Sequence, residues 1–421
     1  MLKKIDVDQL RLGMHLHELG GKWVDHPFWK TKFVLNDARD LQALRDSGVR
    51  ECWIDVSKGA DVAAEAPAEP AAAAVQPAAA ASPAEPPPAA ASAEAPASAT
   101  MSDELGRAAA LVSQSRALVM SLFHETRMGR ALEPEGCLPL VADITASVWR
   151  NPGALISLSR LKTHDDYSYM HSIAVCALMV ALARQLGHTE AQAREAGLAG
   201  LLHDMGKALM PLEVLNKPGK LTAAEFDIIK GHPQRGHELL KGGASTPPIA
   251  LDVCLHHHER PDGTGYPFGL KGEALTDSAR MGAVCDVYDA ITSNRPYKAG
   301  WDPADSVSRM TAWTQAGQFD PALFASFVKS LGVYPVGSLV RMRSGRLAVV
   351  VEQSLTQLLK PWVKVFYSTK SNMPLPVELL DTSDPRCSDA VAARESNAVW
   401  KFPHLDELWA GRETLAVAAT A

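Results

Sequence analysis

His171, His203, Asp204, His232, His257, His258 and Asp286 are polar residues set into segments that otherwise read as protein core. His171 opens the run HSIAVCALMVALA, and His203 and Asp204 close GLAGLLHD. His232 lies in KGHPQRGHELL, His257 and His258 in LHHHERPDG, and Asp286 in ARMGAVCDVYDAI. Burying imidazoles and carboxylates in apolar helices is costly unless each finds a partner. Divalent cations are the partners that satisfy all of them together. A set of imidazole and carboxylate without thiolate suits Fe, Mn, Ni, Co or Zn. Adjacent helical residues point about 100° apart, so His203 and Asp204 can address different ions or different sides of one. A carboxylate has two oxygens and can bridge two cations, which an imidazole cannot. Asp204 is therefore the expected bridge of a two-metal site, with ions roughly 3.5–4 Å apart that clamp the attacking and leaving oxygens of a phosphoryl displacement.

To meet at one centre, these residues need helices of the right length. The candidates stand 25 to 32 residues apart, about one helix and its connection each, which suits a bundle of antiparallel helices. The apolar rhythm predicts helices over 102–126, 136–150, 168–186, 190–206, 222–241, 246–258, 277–293 and 303–316. Thr222 and Glu225 form a capping box behind the Pro218-Gly219 turn. Residues 334–380 alternate like strands, with Ser344-Gly345 as a hairpin turn. The last forty or so residues carry no readable pattern.

Residues 60–101 are almost entirely Ala, Pro, Glu and Ser and read as a disordered linker. Ahead of it, short apolar strands at 32–35 and 53–56 flank a helix over Asp37–Ser47. The expected fold class is mainly α. It comprises a small α+β domain (1–59), the linker (60–101), a helical bundle (102–332), a small β-rich appendage (333–385) and a tail (386–421).

The 42 basic residues against 48 acidic ones give a net charge of −6 and no electrostatic case for DNA or RNA polymers. A small anion needs only local positive charge and stays open. The six cysteines contain no CxxC pair, and their scatter fits reduced thiols in a cytoplasm. No segment has the length and apolarity of a membrane span, and the start lacks the apolar stretch of a signal peptide.

The motifs HDMGK, GHP, HHERPDGTGYP and DVYDAITSNRPYK, in that order and spacing, resemble the HD-GYP family within the HD hydrolases, over roughly residues 120–330. LRLGMHL, DHPFWKTKF and GVRECWIDVSKG resemble the small domain often found ahead of HD-GYP domains. The resemblance implies a helical HD-type domain, a centre of two or three metal ions with Fe or Mn favoured, and hydrolysis of the bacterial second messenger cyclic di-GMP. Carried across by position, it makes His171, His203, Asp204, His232, His257, His258 and Asp286 metal ligands. Lys207 is then placed to stabilise charge on a phosphate oxygen, and Arg295 and Lys298 resemble the family's phosphate clamp. Gly265 and Tyr266 belong to a tight loop with an aromatic for guanine, and Asp289 orients a ligand.

Some members place a glutamate one helical turn before the first histidine, where it helps hold a third ion. Here that position is Tyr167, with Asp165 and Asp166 close but off register, so two ions and linear pGpG as main product are expected. Three other readings stand beside this one. They are a catalytically silent cyclic di-GMP receptor or scaffold that binds GGDEF-domain partners, a general HD-type nucleotide phosphohydrolase, and a phosphodiesterase for a related dinucleotide such as cyclic GMP-AMP. The sequence leaves the oligomeric state open.

Overall fold

The computed structural model describes residues 2–19, 33–36, 38–46, 50–60, 99–130, 133–161, 167–217, 219–243, 245–294, 300–354 and 357–419. The expected linker lies almost wholly outside them, as do Arg295 and Lys298. The chain divides into two compact units, Met1–Pro96 and Ala97–Ala421.

The first unit contains β1 (Leu2–Asp6), β2 (His15–Leu19), β3 (Phe33–Val34), α1 (Ala38–Asp46) and β4 (Glu51–Asp55). The strands form an antiparallel sheet in the order β1-β4-β2-β3. Alternate residues Leu16, Cys52 and Ile54 turn inward, where Leu10, Met14, Leu35 and Leu44 complete a small core.

The second unit is mainly helical. It begins with α2 (Met101–Arg127), α3 (Leu138–Arg150), α4 (Pro152–Ser159), α5 (Tyr167–Gln185) and α6 (Glu190–Leu202). Next come α7 (Leu212–Leu215), α8 (Ala223–Ile229), α9 (His232–Lys241), α10 (Pro248–His256), α11 (Asp277–Thr292), α12 (Pro303–Gln315) and α13 (Pro321–Leu331). α5 is the axial helix. Its run from Ile173 to Ala183 is buried on every side, because α6, α11, α4, α3, α13 and α2 all pack on it. Such a helix shows little amphipathic rhythm, as expected of one without a solvent face.

Two differences from the expected helices matter for the centre. The segment 222–241 is not one helix but two, broken at Lys230-Gly231. Pro233 accounts for the break, since a proline inside a helix lacks the N–H and clashes with the carbonyl four residues back. It sits instead in the first turn of α9. The helix expected to reach residue 206 stops at Leu202, and a short 3-10 turn follows over Met205–Leu209.

The segment after α13 forms β5 (Leu339–Met342), β6 (Arg346–Glu352), β7 (Trp362–Ser368), β8 (Met373–Asp381) and β9 (Val391–Arg394), an antiparallel sheet in the order β8-β7-β6-β5-β9. Strand alternation divides its residues. Leu339, Leu347, Val349 and Val351 join the helical core, whereas Val340, Met342, Ala348, Val350, Val363 and Val365 build a core of their own. The C-terminal stretch holds α14 (Asn397–Trp400), α15 (Leu405–Ala410) and α16 (Arg412–Ala419). Of these, α15 packs on β6 and α16 on α2. Among the described residues no helix is long and apolar enough to cross a membrane.

Candidate metal centre

Each of the seven candidate ligands sits where a helix begins or ends, or on a helix face turned to the same point. His171 lies in the second turn of α5, and His203 caps α6 with Asp204 next to it. His232 is the first residue of α9, His257 caps α10 with His258 behind it, and Asp286 lies in mid-α11. The close approach of two backbones brings Asp204 to His232. A Cβ on Gly206 would stand 1.9 Å from the His232 carbonyl oxygen, so no larger residue fits there.

One potential ligand atom each from Asp204, His232, His257 and His258 lies within 4.8 Å of the others, and His171, His203 and Asp286 form a second such group. Asp204 faces both. Its Oδ1 is 3.1 Å from His232 Nε2 and 3.6 Å from His257 Nε2. Its Oδ2 is 3.3 Å from His171 Nε2 and 3.4 Å from His203 Nε2. Asp286 Oδ1 is 3.0 Å from His171 Nε2, and Asp286 Oδ2 is 3.7 Å from His258 Nδ1.

The outer nitrogens of His171, His203, His232 and His257 are already engaged. His203 Nδ1 is 2.7 Å from the Gly200 carbonyl, and His232 Nδ1 is 2.7 Å from that of Ile229. His257 Nδ1 is 3.0 Å from the carbonyls of both Val253 and Cys254. A carbonyl only accepts, so each Nδ1 carries the proton and each Nε2 turns a lone pair inward. His171 donates to Asp289 Oδ2 at 2.6 Å, and the Ser293 hydroxyl donates to Asp289 Oδ1 at 3.1 Å.

The electrostatics call for positive charge at this point. Burial alone would raise Asp204 and Asp286, yet Lys207 and the imidazoles of His203 and His171 hold Asp204 well below the usual range, and those of His171, His258 and His203 do the same for Asp286. His171 is pushed the other way. Burial lowers it, but Asp204, Asp286 and Asp289 together carry it up to about 10. A cation at His171 Nε2 meets the same demand as a proton. His258 and His232 are lowered, both by burial first, with His257 adding to the effect at His258 and Asp204 opposing it at His232, and the net direction favours the neutral form a metal ligand needs. Among the described residues His203 Nε2 and Asp204 Oδ1 are buried without a hydrogen-bond partner. Buried polar atoms are rarely left so, and the residues present fit a bound divalent metal.

The other predicted residues fall around this centre. Lys207 Nζ ion-pairs with Asp204 Oδ2. Tyr266 stacks on His258, ring centroids 4.6 Å apart and planes 27° apart. Gly265 lets the loop pass under the Arg260 amide, where a Cβ would stand 2.5 Å from that nitrogen. His256 turns away, its Nδ1 2.9 Å from Asp252. Tyr167 opens α5, while Asp165 and Asp166 lie outside the described residues.

Sequence reasoning missed Glu259. It is buried and accepts from the amides of Phe268 at 2.6 Å, Gly269 at 3.1 Å and Leu270 at 3.0 Å. It thereby pins the loop that carries Tyr266. A charged residue directly after two candidate ligands was the available signal.

Comparison with known proteins agrees with this geometry. Residues 145–323 match the HD domain and residues 2–137 match DUF3391, a domain of unknown function. Over 412 residues the chain is 52% identical to a cyclic di-GMP phosphodiesterase of Pseudomonas aeruginosa, a match covering 98% of this chain and 96% of that one. The chain belongs to the HD-GYP phosphodiesterase family. Shorter matches within the family are 46% identical over 173 residues to a cyclic di-GMP phosphodiesterase response regulator of Xanthomonas campestris (39% of this chain, 45% of that one) and 32% identical over 183 residues to a 3'3'-cGAMP-specific phosphodiesterase of Vibrio cholerae (43% and 42%). The HD-domain match contains all seven candidate ligands, from His171 to Asp286.

Proposed function

We propose that this phosphodiesterase hydrolyses cyclic di-GMP to linear pGpG at a centre of two divalent ions bridged by Asp204. The observation that carries the reading is the division of labour within that carboxylate, with Oδ1 toward His232 and His257 and Oδ2 toward His171 and His203. His232, His257 and His258 would hold one ion, and His171, His203 and Asp286 the other. When bound, such ions supply Lewis acidity and a nucleophile at neutral pH.

The chain's own groups do the rest. The inward Nε2 lone pairs and paired carboxylates fix the centre before substrate arrives. Lys207, held beside Asp204, sets a positive charge next to the reacting phosphate. Arg295 and Lys298 supply the clamp on the phosphodiester, and the fork of Arg295 suits two phosphate oxygens. Tyr266, stacked on His258, offers an aromatic face for guanine, within the loop that passes closely at Gly265. In the hydrolysis one water is consumed, and its oxygen bonds to phosphorus in line with the ribose 3′ oxygen. The bond from phosphorus to the 3′ oxygen breaks, one water proton ends on the departing 3′ hydroxyl and the other passes to solvent, and the ring opens to pGpG.

Arrest at pGpG is supported by Tyr167, since a phenol with an ordinary pKa near about 10 does not replace a carboxylate at neutral pH. All six cysteines are unpaired, which supports action in a reducing cytoplasm.

The test is chromatography of pGpG and GMP after incubating metal-loaded protein with cyclic di-GMP, cyclic GMP-AMP as competitor, and metal analysis of the same sample. Close to two ions per chain, pGpG as main product and loss of turnover in Asp204→Ala with the helical fold retained are expected. Full activity in metal-stripped Asp204→Ala protein would overturn the proposal.

A further inference from the structure

Next to the metal centre lies a cavity of about 430 Å³, and none of the seven candidate ligands lines it. Small-molecule pockets commonly occupy roughly 300–1,000 Å³. Its walls come from α4, α5, the end of α11, α13 and the end of β6. Ile156, Leu178 and Val336 give it apolar surface, and Trp149 adds an indole ring. The Arg184 guanidinium stands 5.2 Å from that ring's centroid.

Two polar atoms in this wall are unsatisfied. Among the described residues Arg160 Nη2 is buried with no hydrogen-bond partner, and so is Gln353 Oε1. One is a charged donor and the other a neutral acceptor. Asp302 lies within the field of Arg160, yet no ion pair joins the two among the described residues. The carboxylates that line the cavity are engaged elsewhere. Glu352 accepts from the Met101 amide at 3.1 Å and from Asn151 at 3.3 Å, and Asp289 accepts from His171. Arg184 and Lys329 also line the space, so positive charge prevails there.

We propose that this cavity binds a small amphipathic organic anion, an apolar ring bearing a carboxylate for Arg160 and a hydroxyl for Gln353, and that its occupancy acts on the metal centre through Asp289. Asp289 belongs to both places, since it lines the cavity and holds His171 Nδ1 at 2.6 Å. Ala174, in the cavity wall, is one turn along α5 from His171. The coupling rests on the metal reading above, whereas the binding does not.

6-Hydroxy-2-naphthoate is a suitable probe, with its methyl ester as the neutral control. Calorimetric titration into the ion-free full chain should show saturable one-to-one binding. A hydrogen bond to a charged group is commonly worth about tenfold or more in affinity, so both the ester and Arg160→Met should bind at least about that much more weakly. Ala181→Phe, which fills the space, should abolish binding. Should that variant fail to fold, methyl resonances of Leu178 and Val336 in the unaltered chain should shift on titration. Mn²⁺ affinity, read by electron paramagnetic resonance, should change severalfold when the probe is saturating, as linkage requires. No saturable heat, or equal affinity in wild type and Arg160→Met, overturns the site. Unchanged Mn²⁺ affinity in the saturated protein overturns the coupling. Failure to bind Mn²⁺ at all would strike the metal reading instead, and the ion-free titration still judges the cavity.

Discussion

Asp289 Oδ2 stands 2.6 Å from His171 Nδ1, while the other ring nitrogen faces Asp204 and Asp286 at 3.3 and 3.0 Å. The imidazole is thus held by a carboxylate behind it. Losing the charge of such a partner typically costs about 10–100-fold in metal affinity. Asp289→Asn is expected to weaken metal binding by that order while the helical signal stays constant. Competition against a graded chelator measures it, and an unchanged affinity would remove Asp289 from the centre's support.

Glu259 predicts an effect on the loop rather than on the metal. Its carboxylate takes three main-chain amides, those of Phe268, Gly269 and Leu270. Glutamine in its place has one acceptor oxygen and no charge. Hydrogen exchange at those three amides should accelerate by roughly tenfold or more in Glu259→Gln, because bonds to a charged acceptor are worth about 1.5–3 kcal/mol. Metal content should hold. Equal protection in both proteins would show that the loop stands without it.

A stability prediction lies far from the site. Glu104 is fully buried and takes Arg150 Nε at 2.7 Å, Arg150 Nη2 at 2.8 Å and the Ser147 hydroxyl at 2.8 Å, joining α2 to α3. Removing one partner of a buried pair strands the other and costs about 3–5 kcal/mol. Arg150 retains some exposure, so Glu104→Ala should lose about 3 kcal/mol in urea denaturation. A loss under about 1 kcal/mol would mean that Arg150 finds water instead.

Asp302 gives stability a pH dependence of known sign. Burial pushes its carboxyl up to about 6, against the opposing effects of the Leu339 amide and Arg160. In the unfolded chain an aspartate titrates near about 3.9, so between these values the folded state binds more proton. The contribution is fully present below about pH 4 and is lost as pH rises through about 6. Asp302→Asn cannot ionise. The stability difference between wild type and Asp302→Asn should therefore move against wild type from pH 4.5 to 7, as urea midpoints would reveal. A flat difference would contradict the assignment.

The sequence made the centre far more legible than the frame around it. Histidines embedded in runs such as HSIAVCALMVALA and GLAGLLHD announce themselves, because only a shared partner explains their burial. Helix α4 gave no such sign. Six of its eight residues, Ala154 to Ser159, are buried, and a helix so short with no wet face has no stripe to read. The split between α8 and α9 was written in Gly231 and Pro233, but the apolar rhythm of the segment spoke louder. The C-terminal stretch has apolar residues enough, but its elements, of four to eight residues each, are too short for a periodicity to show. Its Leu405 and Trp409 nevertheless enter the main core, and β9 closes the sheet edge against β5. Those contacts depend on residues far away in the chain, which a local pattern cannot express.

His203, His232 and His257 each set their own tautomer with a carbonyl of the preceding turn, whereas His171 depends on an aspartate 118 residues away. The first three candidate ligands are therefore modular. A segment holding one of them and the turn before it can be exchanged between relatives and arrive with its lone pair correctly aimed. His171 has no such independence, and a chimera that separates α5 from its own α11 would inherit a histidine without instructions.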